Sequence, residues 1–139
     1  MKVPEMRIPQ IGLIWKNDMS MMRRLHQSGI TVAHSFDIRE RISFYEKLCR
    51  SHGALLFEDY EEVKGWMDWL MDTLDSMERP KCLCHIDANV DNFLFFEDGS
   101  VKLLDWEYAG MCDPVMDVSM CAIYSYYNEE DMERLFRLY

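Results

Sequence analysis

The chain has 139 residues, 49% of them hydrophobic, with a formal net charge of −10 and a pI near 4.7. That length suits one domain with a sizeable core, and the acidic balance excludes nonspecific nucleic-acid binding and docking on anionic membranes. No run approaches the roughly 18 apolar residues of a membrane span, and the N-terminal Met1-Lys-Val-Pro-Glu-Met-Arg7 lacks the apolar stretch of a secretory signal, so a cytoplasmic protein is expected.

Residues 1–16, with Pro4, Pro9 and Gly12, read as an irregular or strand-like lead-in. A helix is predicted over about 18–28, capped by Asn17 or Asp18 and followed by Gly29. After a short connector at 30–34, Asp37 with Glu40 three residues later forms a capping-box pattern. That helix places Ile38, Ile42, Tyr45, Leu48 and Cys49 on one face and closes at Gly53. A third helix, about 60–77, repeats Val63, Trp66, Met67, Leu70, Met71, Leu74 and Met77 at three- and four-residue steps. This stripe is expected in the core, which leaves Trp66 and Trp69 no ligand role. Pro80 ends the segment, and 81–85 reads as a short buried strand.

Phe93-Leu-Phe-Phe-Glu97 and Ser100-Val-Lys-Leu-Leu104 alternate as two strands around Asp98-Gly99, a strong two-residue hairpin signal. With that loop, Asn92 lies directly opposite Asp105, and opposed side chains share a face about 5 Å apart at Cβ. Residues 106–110 then read as a loop. Asp113 caps a mostly apolar, buried helix over about 114–127, with Pro114 at its first position, and Asn128 caps a last helix. The five cysteines, Cys49, Cys82, Cys84, Cys112 and Cys121, are odd in number and lack C-x-x-C spacing. This argues against a disulfide framework and against a zinc site. Cys82 and Cys84 are read as small buried hydrophobes.

The chemistry gathers just upstream of the hairpin, in His85-Ile-Asp87-Ala-Asn-Val-Asp-Asn92. Phosphoryl transfer needs a carboxylate near the attacking hydroxyl, cations on the phosphates and accurate positioning. Asp87 is the candidate base. Asn92 and Asp105 offer the hard oxygens that Mg²⁺ takes while keeping positions open for phosphate and water. His85 is assigned to bracing the loop. Against this, Asp87, Asn92 and Asp105 taken singly also suit turns and caps, and Asp91 is read as a solvated turn residue.

His85-Ile-Asp87…Asn92, Leu104-Asp105-Trp-Glu-Tyr-Ala-Gly110 and Asp113-Pro114…Asp117 together resemble the choline kinase and aminoglycoside phosphotransferase family. Asp105-Trp-Glu-Tyr-Ala109 is similar to the bacterial choline kinases that supply phosphocholine for surface polysaccharides. So are Leu25-His26-Gln-Ser-Gly29 and Phe36-Asp-Ile-Arg-Glu-Arg-Ile42. The resemblance runs from about residue 15 onward and implies an α+β fold: the mainly helical C-terminal lobe of a protein-kinase-like fold, its metal site on a small β-hairpin. It implies ATP and Mg²⁺, with Asp87 as catalytic base, Asn92 and Asp105 as metal ligands, Glu107 on the substrate side and Asp117 stabilising the loop. A quaternary ammonium alcohol is held by aromatic faces backed by carboxylates, which directs attention to Trp106, Tyr108, Tyr124, Tyr126 and Tyr127, and to Tyr108 with Glu107 first.

With glycines only at 12, 29, 53, 65, 99 and 110, no G-x-G-x-x-G loop exists, and neither Lys2 nor Lys16 has the strand context of a nucleotide lysine. The expectation is therefore a partial lobe over 1–139 without its N-terminal nucleotide lobe, transferring the ATP γ-phosphate to choline or a similar amino alcohol feebly or not at all alone. An aminoglycoside-type kinase and a non-catalytic orphan lobe are the alternatives. A bared lobe interface at Ile11, Leu13, Ile14 and Trp15 would promote self-association.

Overall fold

The computed structural model describes residues 11–54 and 57–139, with side chains from residue 19 onward. Helix α1 (Ile11–His26) starts well ahead of the expected cap at Asn17 or Asp18. Pro9 is the last proline before it, a helix can begin directly after proline, and the single Gly12 costs only about 1 kcal/mol. Residues 1–10, including Lys2, lie outside the described residues, as do the side chains of Ile11, Leu13, Ile14, Trp15 and Lys16. Met19, Met22 and His26 of α1 are buried, and their spacing of three and four residues puts them on one helical face.

The chain divides into two compact units, the segment up to Phe36 with Lys81–Tyr139, and Asp37–Pro80. The first unit holds four short strands, β1 (Cys82–Cys84), β2 (Phe93–Phe95), β3 (Val101–Leu103) and β4 (Gly110–Cys112), paired as two antiparallel ribbons, β1 with β4 and β2 with β3. β4 begins inside the segment read as a loop. Its partners are distant in sequence: Leu83 faces Met111, the Met111 N–H donates to His34 O at 2.8 Å, and the Phe36 N–H donates to Met111 O at 3.1 Å. A Cβ on Gly110 would stand 2.8 Å from the His34 ring and 3.2 Å from Phe36 N, so only glycine admits this approach.

The unit is completed by two further helices, which are the fourth and fifth of the chain. The helix Val115–Tyr124 follows Pro114, which stands at the cap itself, one position earlier than expected, and the Asp113 carboxylate accepts from Val115 N at 2.9 Å. The helix Glu129–Leu138 is capped by Asn128, whose Oδ1 accepts from Asp131 N at 3.0 Å. These helices and α1 close on Met19, Met22, Ala88, Phe93, Val118, Cys121, Ala122 and Leu135. A smaller cluster of Cys84, Ile86 and Cys112 sits beside β1 and β4. Ile123, Tyr124 and Tyr126 are exposed, so the helix over Val115–Tyr124 is less fully buried than its composition suggests.

The second unit is a helical pair, α2 (Ile38–Ser51) and α3 (Tyr60–Asp75). Asp37 caps α2, accepting from the Arg39 and Glu40 N–H groups. Arg39 then reaches Asp72 at 2.7 Å and Asp75 at 3.2 Å, while Lys64 meets Glu46 at 3.0 Å and Tyr60 hydrogen-bonds the same carboxylate. The expectation that the α3 stripe is core fails: neither helix has a buried residue, and Trp66 and Trp69 are 62% and 66% exposed. Periodicity marks an apolar face without stating what covers it, and two helices bury only their seam. In fold class the described chain is α+β, mainly helical with small antiparallel ribbons. Among the described residues no helix is long and apolar enough to cross a membrane.

Candidate active site

Three consecutive residues, His85, Ile86 and Asp87, leave β1 through a backbone that the chain would not adopt unaided. Ile86 has φ +76°, a conformation that costs a β-branched residue of order 1–3 kcal/mol. What holds it is Asp117, fully buried on the helix Val115–Tyr124. One carboxylate oxygen accepts from Ile86 N at 2.6 Å, and the other from His85 N at 2.8 Å and from His26 Nε2 at 2.9 Å. Three donors around one buried carboxylate satisfy it as burial of a charge requires. The His85 ring bonds Leu104 O through Nε2 at 2.7 Å and meets the Trp106 ring edge-on at 4.8 Å. His85 therefore ties this loop to the end of β3. Its Nδ1 is buried without a partner among the described residues, as the acceptor tautomer left when Nε2 carries the proton.

The loop then closes on itself. Asn92 Nδ2 donates to Asp87 O at 2.8 Å and to Asp87 Oδ2 at 2.9 Å, and Asn89 Nδ2 donates to Asp87 Oδ1 at 2.9 Å. Both oxygens of the half-buried Asp87 carboxylate are thereby oriented. Asn89, which the sequence reading passed over, accepts from Asp91 N at 2.9 Å and caps the one-turn 3-10 helix Val90–Asn92. An Asn two residues before an Asp in a turn is the local signal that would have found it.

The hairpin differs from its predicted register. Phe93 faces Leu103 and Phe95 faces Val101, so Asn92 is level with Leu104, not Asp105, and Leu104 N donates to Asn92 O at 2.8 Å. The loop has three residues: Gly99 N bonds Phe96 O at 3.0 Å, Phe96 N bonds Ser100 O at 2.9 Å, and Gly99 has φ +79°. This is a type I turn with a glycine bulge. It is helped by Asp98, whose Oδ1 accepts from both the N–H and the hydroxyl of Ser100.

Asp105 lies one residue beyond the last rung and turns out of the ladder at φ +58°. Its carboxylate is exposed and, among the described residues, engaged in no hydrogen bond or ion pair. Asn92 points its amide nitrogen at two acceptors, which fixes its orientation and leaves Oδ1 without a donor among the described residues. A free amide oxygen and a free carboxylate at the two ends of one short hairpin are the donor set that fits Mg²⁺.

Of the candidate substrate residues, Trp106 donates through Nε1 to Leu103 O at 3.0 Å and is partly exposed. Glu107 is exposed. Tyr108 packs against the Cys84, Ile86 and Cys112 cluster. Tyr126 is almost wholly exposed and Tyr127 packs against the main core. His26, which carried no role in the sequence reading, enters through Asp117 and also bonds the Tyr139 hydroxyl through Nδ1 at 2.7 Å.

A family profile described as "Phosphotransferase enzyme family" matches residues 10–138. The protein LicA of Haemophilus influenzae is 26% identical over 119 residues, covering 84% of this chain and 34% of its own length. A choline/ethanolamine kinase family protein from Mesorhizobium loti aligns at TM-score 0.81 and 27% identity, over 90% of this chain and 42% of that one. Choline kinase LicA from Streptococcus pneumoniae aligns at TM-score 0.79 and 26% identity, over 90% and 44%, and LicA has also been solved in complex with AMP. The chain thus spans less than half the length of these relatives.

Proposed function

The chain belongs to the phosphotransferase enzyme family, and from that premise we propose that it carries the base and metal ligands of a kinase that moves the γ-phosphoryl group of ATP to the hydroxyl of choline or a similar small amino alcohol. The observation that carries the reading is the Asp87–Asn92 pair, bonded at 2.9 Å within one loop, with the unpaired Asp105 carboxylate one residue past Leu104, the residue level with Asn92 at the open end of the hairpin. LicA's description as a choline kinase and its complex with AMP support the acceptor and the nucleotide.

In this mechanism Asp87 accepts the proton of the acceptor hydroxyl as its oxygen attacks the γ-phosphorus. Asn89 and Asn92 hold the carboxylate in a single orientation, so little reorganisation remains for the reacting complex. Asn92 Oδ1 and the Asp105 carboxylate would hold Mg²⁺, which supplies charge neutralisation on the phosphate oxygens when bound. Trp106, Glu107 and Tyr108 form the acceptor side, where an aromatic face and a carboxylate suit a quaternary ammonium group. Asp117 acts as a positioning residue, through the backbone of His85 and Ile86. Because the relatives are more than twice as long, turnover by the 139 residues alone is expected to be feeble.

The test is ADP release from Mg·ATP with choline, ethanolamine or kanamycin as acceptor, with Asp87→Asn as control. Choline-dependent release reduced about 10²–10⁴-fold in the variant, the usual range for losing a general base, is the expected result. Release with kanamycin and not choline would reassign the acceptor. Release unaffected by Asp87→Asn would remove the proposed base.

A further inference from the structure

His26, Cys82 and Cys84 converge on one place, where the His26 ring bonds the buried Asp117. One ligand atom from each lies within 4.8 Å of the others. Cys82 and Cys84 alternate along β1 and therefore share a face, with sulfurs 3.8 Å apart. Two thiolates on one tetrahedral zinc, each at about 2.3 Å, are separated by about 3.8 Å. The same sulfurs are far beyond the roughly 2.05 Å of a disulfide, and none of the five cysteines forms one.

The histidine is also prepared. Asp117 is already an acceptor for two backbone N–H groups, so His26 Nε2 must donate to it, and Nδ1 presents its lone pair. A carboxylate–histidine pair of this kind orients the ring of a metal ligand and raises its basicity. The Tyr139 hydroxyl donates to Nδ1 at 2.7 Å, so that lone pair is directed away from Asp117 and a metal would have to take the place of the phenol proton.

We propose that His26, Cys82 and Cys84 form a zinc site, with Nδ1 and the two sulfurs as ligands, that clamps α1 to β1 behind the candidate active site. Mixed nitrogen and sulfur donors select zinc over magnesium. Binding sends the two thiol protons to solvent and breaks the Tyr139 bond to Nδ1, the Cys84 thiol's bond to Cys112 O and the thiol–thiol bond, leaving the fourth position to water. The donors must close by about 1 Å at most to reach zinc bonding distances; Cys82, half-buried at the strand edge, has the room to move. The site is separate from Asn92 and Asp105 and does not depend on the reaction proposed above.

The experiment is titration of the reduced, chelator-treated 139-residue chain with Co²⁺, followed by competition with Zn²⁺. One equivalent of Co²⁺ should develop a near-ultraviolet thiolate-to-cobalt charge-transfer band, displaced by one equivalent of Zn²⁺. Cobalt held by the oxygens of Asn92 and Asp105 gives no such band. Cys82→Ser and Cys84→Ser, each checked for fold by circular dichroism, should lose the band and weaken Zn²⁺ binding at least about 100-fold, the upper range for losing a supporting group of a metal site. Cys49→Ser, on α2, should keep it. Absence of the band in the wild-type chain, or its persistence in a folded Cys82→Ser chain, overturns the site.

Discussion

Asp117 Oδ1 lies 2.6 Å from the backbone nitrogen of Ile86, thirty-one residues away, and that contact holds Ile86 at φ +76°. The strained residue sits between His85 and Asp87, so the energy stored in the loop is offset by a buried carboxylate on a separate helix. Under the proposed function, stability and activity are coupled at this point, and separate measurements distinguish them.

Asp117→Asn keeps the shape but presents an amide to three donors. With one carboxylate oxygen replaced by an N–H donor, at least one buried donor loses its acceptor, and a loss of about 2–4 kcal/mol is expected. A urea midpoint shift measures it. Under the proposed function, Asp117→Asn should also slow phosphoryl transfer without changing the folded-state affinity for the acceptor, because Asp117 reaches Asp87 through the backbone of His85 and Ile86. An unchanged midpoint would show that the loop does not need this anchor.

Gly110→Ala should cost about 1–3 kcal/mol by overpacking, since its Cβ would meet the His34 ring at 2.8 Å and Phe36 N at 3.2 Å. The control is Gly99→Ala, whose Cβ meets nothing. There the cost comes only from a backbone at φ +79°, about 1 kcal/mol. If thermal unfolding puts Gly99→Ala below Gly110→Ala, the close approach of β4 to residues 34–36 is not what the structure describes.

Asn92→Ala removes two bonds to Asp87 and one free oxygen together, whereas Asn92→Asp keeps an oxygen ligand but sets a second carboxylate against Asp87 Oδ2. Under the proposed function, Asn92→Ala should weaken Mn²⁺ binding, read by electron paramagnetic resonance, by about 10–100-fold. Asn92→Asp should retain more affinity for the ion, because the cation screens the two carboxylates. Equal binding by Asn92→Ala and wild type would take Asn92 out of the metal site.

The Tyr139 phenol is pushed up to about 12, first by burial and then by its proximity to Cys82, Cys84 and Asp117. Its folded value lies above the usual value near 10, so the neutral phenol is the form the fold prefers. The stability this contributes is present below about pH 10 and is lost as pH rises towards 12. Wild-type chain should therefore lose stability across that window faster than Tyr139→Phe, with the phenolate absorbance rising late. Parallel losses in the two proteins would assign the drop to other groups.

Asp87, Asn92 and Asp105 were readable as candidates because they lie within one stretch of chain, whose turn signals and alternation set a hairpin between Asn92 and Asp105. The caps at Asp37 and Asn128 were legible for the same reason: a side chain meeting a backbone N–H two or three residues on is local chemistry. The hairpin's register was not. A two-residue and a three-residue loop both accept Asp98-Gly99, and the choice rests on which strand faces pack, with Phe93 buried against the core.

What the sequence by itself determined is the set of groups whose partners lie nearby along the chain: the Asp87 loop with its asparagines, the hairpin that follows it and most helix boundaries. Only the tertiary structure decided β4, whose partners are residues 34–36 and 82–84, and the place of Asp117, which gathers His26 from one distant segment and His85 with Ile86 from another. It also decided that the α3 stripe stands exposed. The physical reason is common to all three. Residue pattern encodes what a segment is able to bury or donate, whereas the partner is chosen by which distant segments can meet at a tolerable cost in chain entropy.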